Sequence, residues 1–143
     1  MGIIVTIEYT EGNVFLQLSG KTEAVKWLPL LLVERKIAER MLLADGKGGM
    51  SLVISEEQLP GLLEAIPGDC QPEMQKVGLV EITGYSLRSD AAALTAICET
   101  LEESGISVIA LSASDTDLTV AVPDNRGTEC LRILENRFNS SIE

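Results

Sequence analysis

The chain has no histidine among its 143 residues. That removes the commonest general base near neutral pH and the commonest metal ligand. Only three cysteines occur, Cys70, Cys98 and Cys130. They are odd in number, far apart, and include no C-x-x-C pair. A disulfide framework or zinc site is therefore not expected, and free thiols in a reducing cytoplasm fit best. Basic residues are few, 11 against 22 acidic ones, giving a formal net charge of −11. Such a chain is repelled by nucleic acid and by anionic membrane surfaces, so neither partner is expected. No stretch reaches the roughly 20 apolar residues that span a bilayer. No basic segment precedes an apolar run at the N-terminus, so no signal peptide is indicated. Met1–Thr6 fits the loose pattern for N-myristoylation. The alternation and β-branching of Ile3 to Tyr9 read instead as a strand. Aromatics make up 3% of the chain, so a core must be built from Leu, Ile, Val, Ala and Met.

What is present is enough apolar material for such a core, 45% of the residues. The length suits one ordinary domain or two very small ones. "IIVTIEYT", "EGN" and "VFLQLS" read as two strands joined by a tight turn. "KTEAVKWLPLLLVERKIA" has helical spacing from a cap at Thr22, with Pro29 either in its first turn or kinking it. "ERMLLA", the turn "DGKGG" and "MSLVIS" form a second hairpin. "EEQLPGLLEAI" is a short helix interrupted by Pro60 and Gly61, and "PGDCQPE" is a linker. The order then repeats. "VGLVEITG" is a strand, and "SDAAALTAICETLEESG" is the clearest helix, capped by Ser89 or Asp90 and closed by Gly105. "ISVIALSAS" and "DLTVAVP" are strands, and "RGTECLRILENRF" is a closing helix. Strand, helix, strand, strand, helix thus occurs twice, near 13–66 and 77–138. Each unit lacks one strand of the common βαββαβ order, and Ile3 to Tyr9 is a spare strand able to complete the second.

Several motifs suggest chemistry and fall short of it. "SGKT", residues 19–22, resembles the tail of a phosphate-binding P-loop, and Asp45 after "MLLA" resembles its magnesium aspartate. The first P-loop glycine is replaced by Phe15, so the loop is too short to wrap a phosphate. "DGKGG" at 45–49 reads as a hairpin turn before it reads as an anion nest. Ser112 and Ser114 alternate on one strand, facing either a ligand or solvent. No Ser or Cys has a plausible base partner. Glu99, Glu102, Glu103 and Glu135 read as solvated helix faces. Trp27, the only Trp, anchors either an interface or a helix. No catalytic residue, metal ligand or cofactor is expected.

From Val80 to Val122 the chain reads "VEITGYSLRSDAAALTAICETLEESGISVIALSASDTDLTVAV". This resembles the last ACT domain of aspartate kinases, in the C-terminal regulatory part of those enzymes. The family pattern is an apolar strand, G-x-G-M-[RK]-S-x-P-G, a helix, "G-I-N-I", "I-S-T-S-E" and a short strand. Gly84, Arg88, Ser89, Gly105, Ile106, Ser112 and Ser114 fall on it without a gap. The first half, through "VTIEYTEGNVFLQLSG" and "MSLVISEEQLPGLLEAI", is similar to the preceding ACT domain. Nothing in the chain resembles the kinase catalytic domain.

The resemblance implies an α+β fold of two ferredoxin-like units, each an antiparallel sheet with helices on one face. One ACT-like domain would span 11–75. The other would combine 76–143 with a strand from 1–10. It implies a non-catalytic, cytoplasmic homodimer that binds a small amino acid, lysine or threonine in this family, at an ACT–ACT interface. The ligand state would be passed to a partner enzyme of amino-acid metabolism. Backbone groups at a helix start would take the ligand carboxylate, and an acidic or amide side chain its ammonium. The matching positions are Ser19, Gly20, Lys21, Thr22, Glu23, Ala44 and Asp45 in the first unit. In the second they are Tyr85, Ser86, Leu87, Arg88, Ser89, Asp90 and Ser112. Three dipeptides depart from the pattern. The family's Pro-Gly is Thr22-Glu23 in one loop and Ala91-Ala92 in the other, and its Gln-Asn is Ala44-Asp45. A structural or protein-interaction module of the same fold, without ligand binding, is the alternative.

Overall fold

A computed structural model describes residues 3–85 and 91–138. The chain separates into two units, one running from Gly12 to Lys76, the other gathering the first eleven residues with those from Val77 onward. Strand β1 spans Ile3–Leu18 and β4 spans Glu73–Tyr85, so both strands pass from one unit into the other without a break.

The first of these strands corrects the sequence expectation. "EGN" is not a hairpin turn; its three residues belong to β1. Gly12 sits at φ +77°, a left-handed backbone that glycine adopts freely. The same residues suit a turn. The decision falls to the partner: β3 (Met50–Ser55) pairs antiparallel with Asn13 to Leu18, and the Glu56 amide donates to the Gly12 carbonyl at 2.8 Å.

In the Gly12–Lys76 unit the strand order is β2-β3-β1, with β2 (Met41–Ala44) closing a hairpin onto β3. Val14, Leu16 and Leu18 of β1 and Met50, Leu52 and Ile54 of β3 alternate onto one sheet face. They pack there against Leu28 and Leu32 of α1 (Leu28–Glu34) and Leu62 of α2 (Leu59–Ala65). Pro60 does not interrupt α2; it stands in its first turn, where its missing N–H costs nothing. The long first helix expected from Thr22 to Ala38 is cut to seven residues. Pro29 takes its first turn, and the residues before it wind into two short 3-10 turns, Gly20–Thr22 and Ala24–Lys26.

In the other unit the order is β1-β4-β6-β5, with β5 Ala110–Ala113 and β6 Asp117–Pro123. β4 and β6 pair antiparallel from Val77↔Pro123 to Thr83↔Asp117. Val80 and Ile82 share a face with Leu118, Val120 and Val122. That face is covered by Ile97 and Leu101 of α3 (Ala91–Glu103) and by Cys130, Leu134 and Phe138 of α4 (Gly127–Phe138). Ile4 joins this core. The ring of Tyr9 fills the space where a side chain on Gly78 or Gly127 would stand. So the N-terminal strand is keyed into this unit by one aromatic against two bare α-carbons.

Candidate functional site

The loop after β1 carries five of the residues singled out by the sequence, Ser19 to Glu23. Its backbone is closed on itself. The amides of Thr22 and Glu23 donate to the carbonyls of Ser19 and Gly20 at 3.0 and 3.1 Å. Those of Lys26 and Trp27 donate to Glu23 and Ala24 at 2.9 and 3.2 Å. The Val25 amide donates to the Gly48 carbonyl, at 3.2 Å, in the turn between β2 and β3. Five amides that could have faced a ligand carboxylate are therefore already bonded.

The side chains reinforce the closure. Thr22 does not cap a helix; its hydroxyl donates back to the Ser19 carbonyl at 2.6 Å. Glu23 adopts the left-handed conformation at φ 51°, and its carboxylate meets the Lys26 ammonium at 3.2 Å. The Trp27 indole N–H donates to the Thr22 carbonyl at 2.9 Å, so Trp27 anchors this loop.

The Asp45–Gly49 segment is the hairpin turn that its composition indicates. Asp45 Oδ1 accepts from the amides of Lys47 and Gly49, at 2.7 and 3.0 Å, while Gly46 and Gly48 hold positive φ. This turn lies directly on the Ser19–Glu23 loop. The Lys47 carbonyl occupies the volume into which a side chain at Gly20 would project. Asp45 is thereby brought beside Ser19, whereas Ala44 is exposed at the end of β2.

Two hollows flank the loop, both within the Gly12–Lys76 unit. One, about 560 Å³, lies between Lys21, Glu23 and Trp27 on one side and Asp69, Cys70 and Gln71 on the other. Burial pushes the Cys70 thiol above its ordinary range, and Asp69 adds to the shift. The other, about 380 Å³, is lined by Gln17, Ser19, Asp45, Ser51, Gln71 and Glu73. Sequence reasoning missed Gln17, Ser51, Gln71 and Glu73. The signal for the first two was present: each is a polar position in an apolar strand, and they are register partners across β1 and β3. Gln71 and Glu73 fall in "PGDCQPE", whose composition reads as a linker.

In the second unit, Tyr85 ends β4. Ser86, Leu87, Arg88, Ser89 and Asp90 lie outside the described residues, as do the caps expected there for α3. Ser112 is exposed on β5, opposite Thr119. Cys130 is fully buried, which raises its thiol to about 11. Among the described residues no group of three or more acidic or thiol side chains could hold a metal ion. No helix there is long and apolar enough to cross a membrane.

No family model matches the sequence, and no curated protein matches it. Solved structures do. The ligand-free regulatory subunit of aspartate kinase from Thermus thermophilus superposes with a TM-score of 0.84 at 16% identity, covering 94% of this chain and 99% of that one. The corresponding Thermus flavus subunit gives 0.75 at 16% identity, covering 95% and 99%. E. coli aspartokinase III in complex with lysine and aspartate gives 0.68 at 18% identity, covering 99% of this chain but 34% of that one. The chain has the fold of the ACT-like regulatory subunits and C-terminal regulatory domains of aspartate kinases.

Proposed function

We propose that this protein is a non-catalytic regulatory module built of two ferredoxin-like ACT units, which binds a small amino acid and passes its binding state to a partner enzyme. The observation that carries the reading is the extent of the structural likeness. It runs over 94% of this chain and 99% of a regulatory subunit of aspartate kinase. E. coli aspartokinase III, which is similar in fold, has been solved in complex with lysine and aspartate, and this supports a lysine-like effector. The expected site joins two ACT units, and small sheets with open edges favour a homodimer.

A thermal-shift and calorimetric screen against the twenty amino acids tests the reading. A true effector at 100 times its Kd adds about 2.7 kcal/mol to stability. No stabilisation by any of the twenty would remove the sensing role.

One observation favours a second reading, a structural or partner-binding module without an effector. The Ser19–Trp27 loop has bonded five of its own amides and is packed against the 45–49 turn. A stoichiometric enzyme partner that co-purifies and is indifferent to every amino acid would favour it.

A further inference from the structure

We infer that the outer face of α1 is a docking surface for a second copy of this chain, seated antiparallel across a two-fold axis near Leu30. The inference rests on the homodimer of the preceding reading and moves its contact from the sheet edges to a helix face. Leu28 and Leu32 turn into the core of the Gly12–Lys76 unit, and Leu31 packs against it. Pro29, Leu30 and Val33 turn away and are exposed. Leu30 is 62% and Val33 75% exposed, more than any other large apolar side chain among the described residues. Val25, just before the helix, is exposed as well. A helix that is apolar on all sides is normally buried on all sides. The first six residues of α1 read LPLLLV, so its outer face lacks the cover that its composition calls for.

Charge selects the occupant. The net charge is −11, yet residues 21–40 hold five of the 11 basic side chains and only three of the 22 acidic ones. Two copies therefore meet less acid-on-acid repulsion here than over the rest of the chain. The face is also self-complementary, as a two-fold contact must be. Lys26 and Glu34 stand four positions to either side of Leu30. An antiparallel arrangement sets Lys26 of each copy against Glu34 of the other, and Val33 of each against the half-buried Trp27 of the other. Lys26 already meets Glu23 at 3.2 Å, but both side chains are largely exposed, and an ammonium has donors left for a second carboxylate. A purely acidic partner fits less well, because Glu23 and Glu34 stand at the two ends of the face. One short helix covers less than the roughly 800 Å² per partner of a standard interface, so the dimer should dissociate on dilution through the micromolar range.

Sedimentation velocity on the whole chain, across the micromolar range, is the test. The wild type should pass from monomer to dimer as concentration rises. Leu30→Glu puts a carboxylate on the two-fold axis and should weaken the dimer about tenfold or more. Because Leu30 is exposed, the thermal melt of the monomer should not change. Leu43→Glu, an exposed position on β2 at the end of the sheet, is the control and should leave the dimer intact. Glu34→Lys and Lys26→Glu should each weaken the dimer about threefold at low salt, and the double exchange should restore it. A dimer lost in Leu43→Glu and kept in Leu30→Glu would overturn this face and leave the homodimer standing on its sheet edges. A double exchange no tighter than either single one would overturn the antiparallel arrangement. A wild type that stays monomeric at the highest concentration would overturn the homodimer and this surface with it.

Discussion

The two units end their first helices in the same way and with different residues. In α3 the Gly105 amide donates to Glu102 and the Ile106 amide to Leu101, at 3.0 Å each. In α1 the Lys36 amide donates to Val33 at 3.2 Å and the Ile37 amide to Leu32 at 2.9 Å. Both are Schellman caps, with the residue after the cap in the left-handed region. Both bring an apolar residue onto the helix, Ile106 near Leu101 and Ile37 near Leu32, in their respective cores. Yet one left-handed position is Gly105 at φ 71° and the other is Lys36 at φ 56°. The cap is dictated by the apolar contact and the backbone bonds, and glycine only makes it cheaper. Upstream the units diverge further. α3 has 13 residues, while α1 has seven behind two 3-10 turns. The repeat conserves how a helix leaves the sheet face more closely than how it arrives.

The largest effects should come from the second helix of each unit, where the comparison predicts equality. Leu62 in α2 and Leu134 in α4 are both fully buried. Either Leu→Ala change should cost about 2–5 kcal/mol. Urea titration measures it, with Trp27, the only tryptophan, reporting on the Gly12–Lys76 unit. A cost for Leu62→Ala well below that of Leu134→Ala would break the equality and mark the first unit as loosely packed.

Next is the closed loop, which distinguishes that unit. Gly20→Ala would drive a methyl into the Lys47 carbonyl, so loop and turn must part. The expected cost is about 1–3 kcal/mol, read as a lower denaturation midpoint together with faster hydrogen exchange at Val25. Gly61→Ala is the control. Nothing stands within 4 Å of a methyl at Gly61 in α2, and the change should stabilise by about 0.5–1 kcal/mol. A harmless Gly20→Ala would mean that the loop is not held by the turn.

Much of this was legible in the residues and some could not be. The strands from Met50 and Asp117 place apolar residues at every second position, the strand from Val77 is a nearly continuous apolar run, and α3 shows helical spacing ended by glycine; all of these are local signals. The continuation of β1 through Glu11 and Gly12 is not local, since the same residues suit a turn and the pairing of Asn13 to Leu18 with β3 decides against one. The truncation of α1 was half visible in Pro29. The rest comes from the Lys47 and Gly48 carbonyls, 20 or more residues along, whose contact with the Ser19–Trp27 loop no spacing rule encodes. The same holds for the cap at Lys36, where no glycine announces the left-handed turn, and for the meeting of Asp45 with Gln71 and Glu73.

Exchanging the two cap residues sharpens the comparison at a smaller scale. Lys36→Gly should stabilise by about 1 kcal/mol, because glycine takes positive φ freely. Gly105→Ala should destabilise by about the same amount, since a methyl there meets no atom and the cost is conformational alone. Thermal melting of the two variants and the double exchange gives the values. If Lys36→Gly is neutral or worse, the lysine side chain contributes to the α1 cap, and the two caps are not equivalent.

The smallest effect concerns an ion pair that belongs to the Gly105 cap. Arg126 Nε donates to Glu129 Oε2 at 2.6 Å, and its terminal nitrogens donate to the carbonyls of Gly105 and Ser104 at 3.3 and 3.4 Å. The side chain thus ties the start of α4 to the end of α3. Its hydrogen bond is the main reason that the Glu129 carboxyl lies below its ordinary value of 4.5, with the charges of Arg126 and Arg132 adding to it and burial opposing. A carboxyl depressed in the folded state binds its proton more readily when unfolded. Its contribution is therefore complete above about pH 4.5 and disappears as pH falls through the folded value. Glu129→Gln should leave neutral stability nearly unchanged, as partly exposed pairs do, and should flatten the loss of stability on acidification below that pH. Arg126→Ala should flatten it equally and also speed hydrogen exchange at Ile106, because the carbonyls of the cap lose their charged donor. If Glu129→Gln follows the wild-type acid curve, the pair is a surface contact only, and the glycine cap stands without its help.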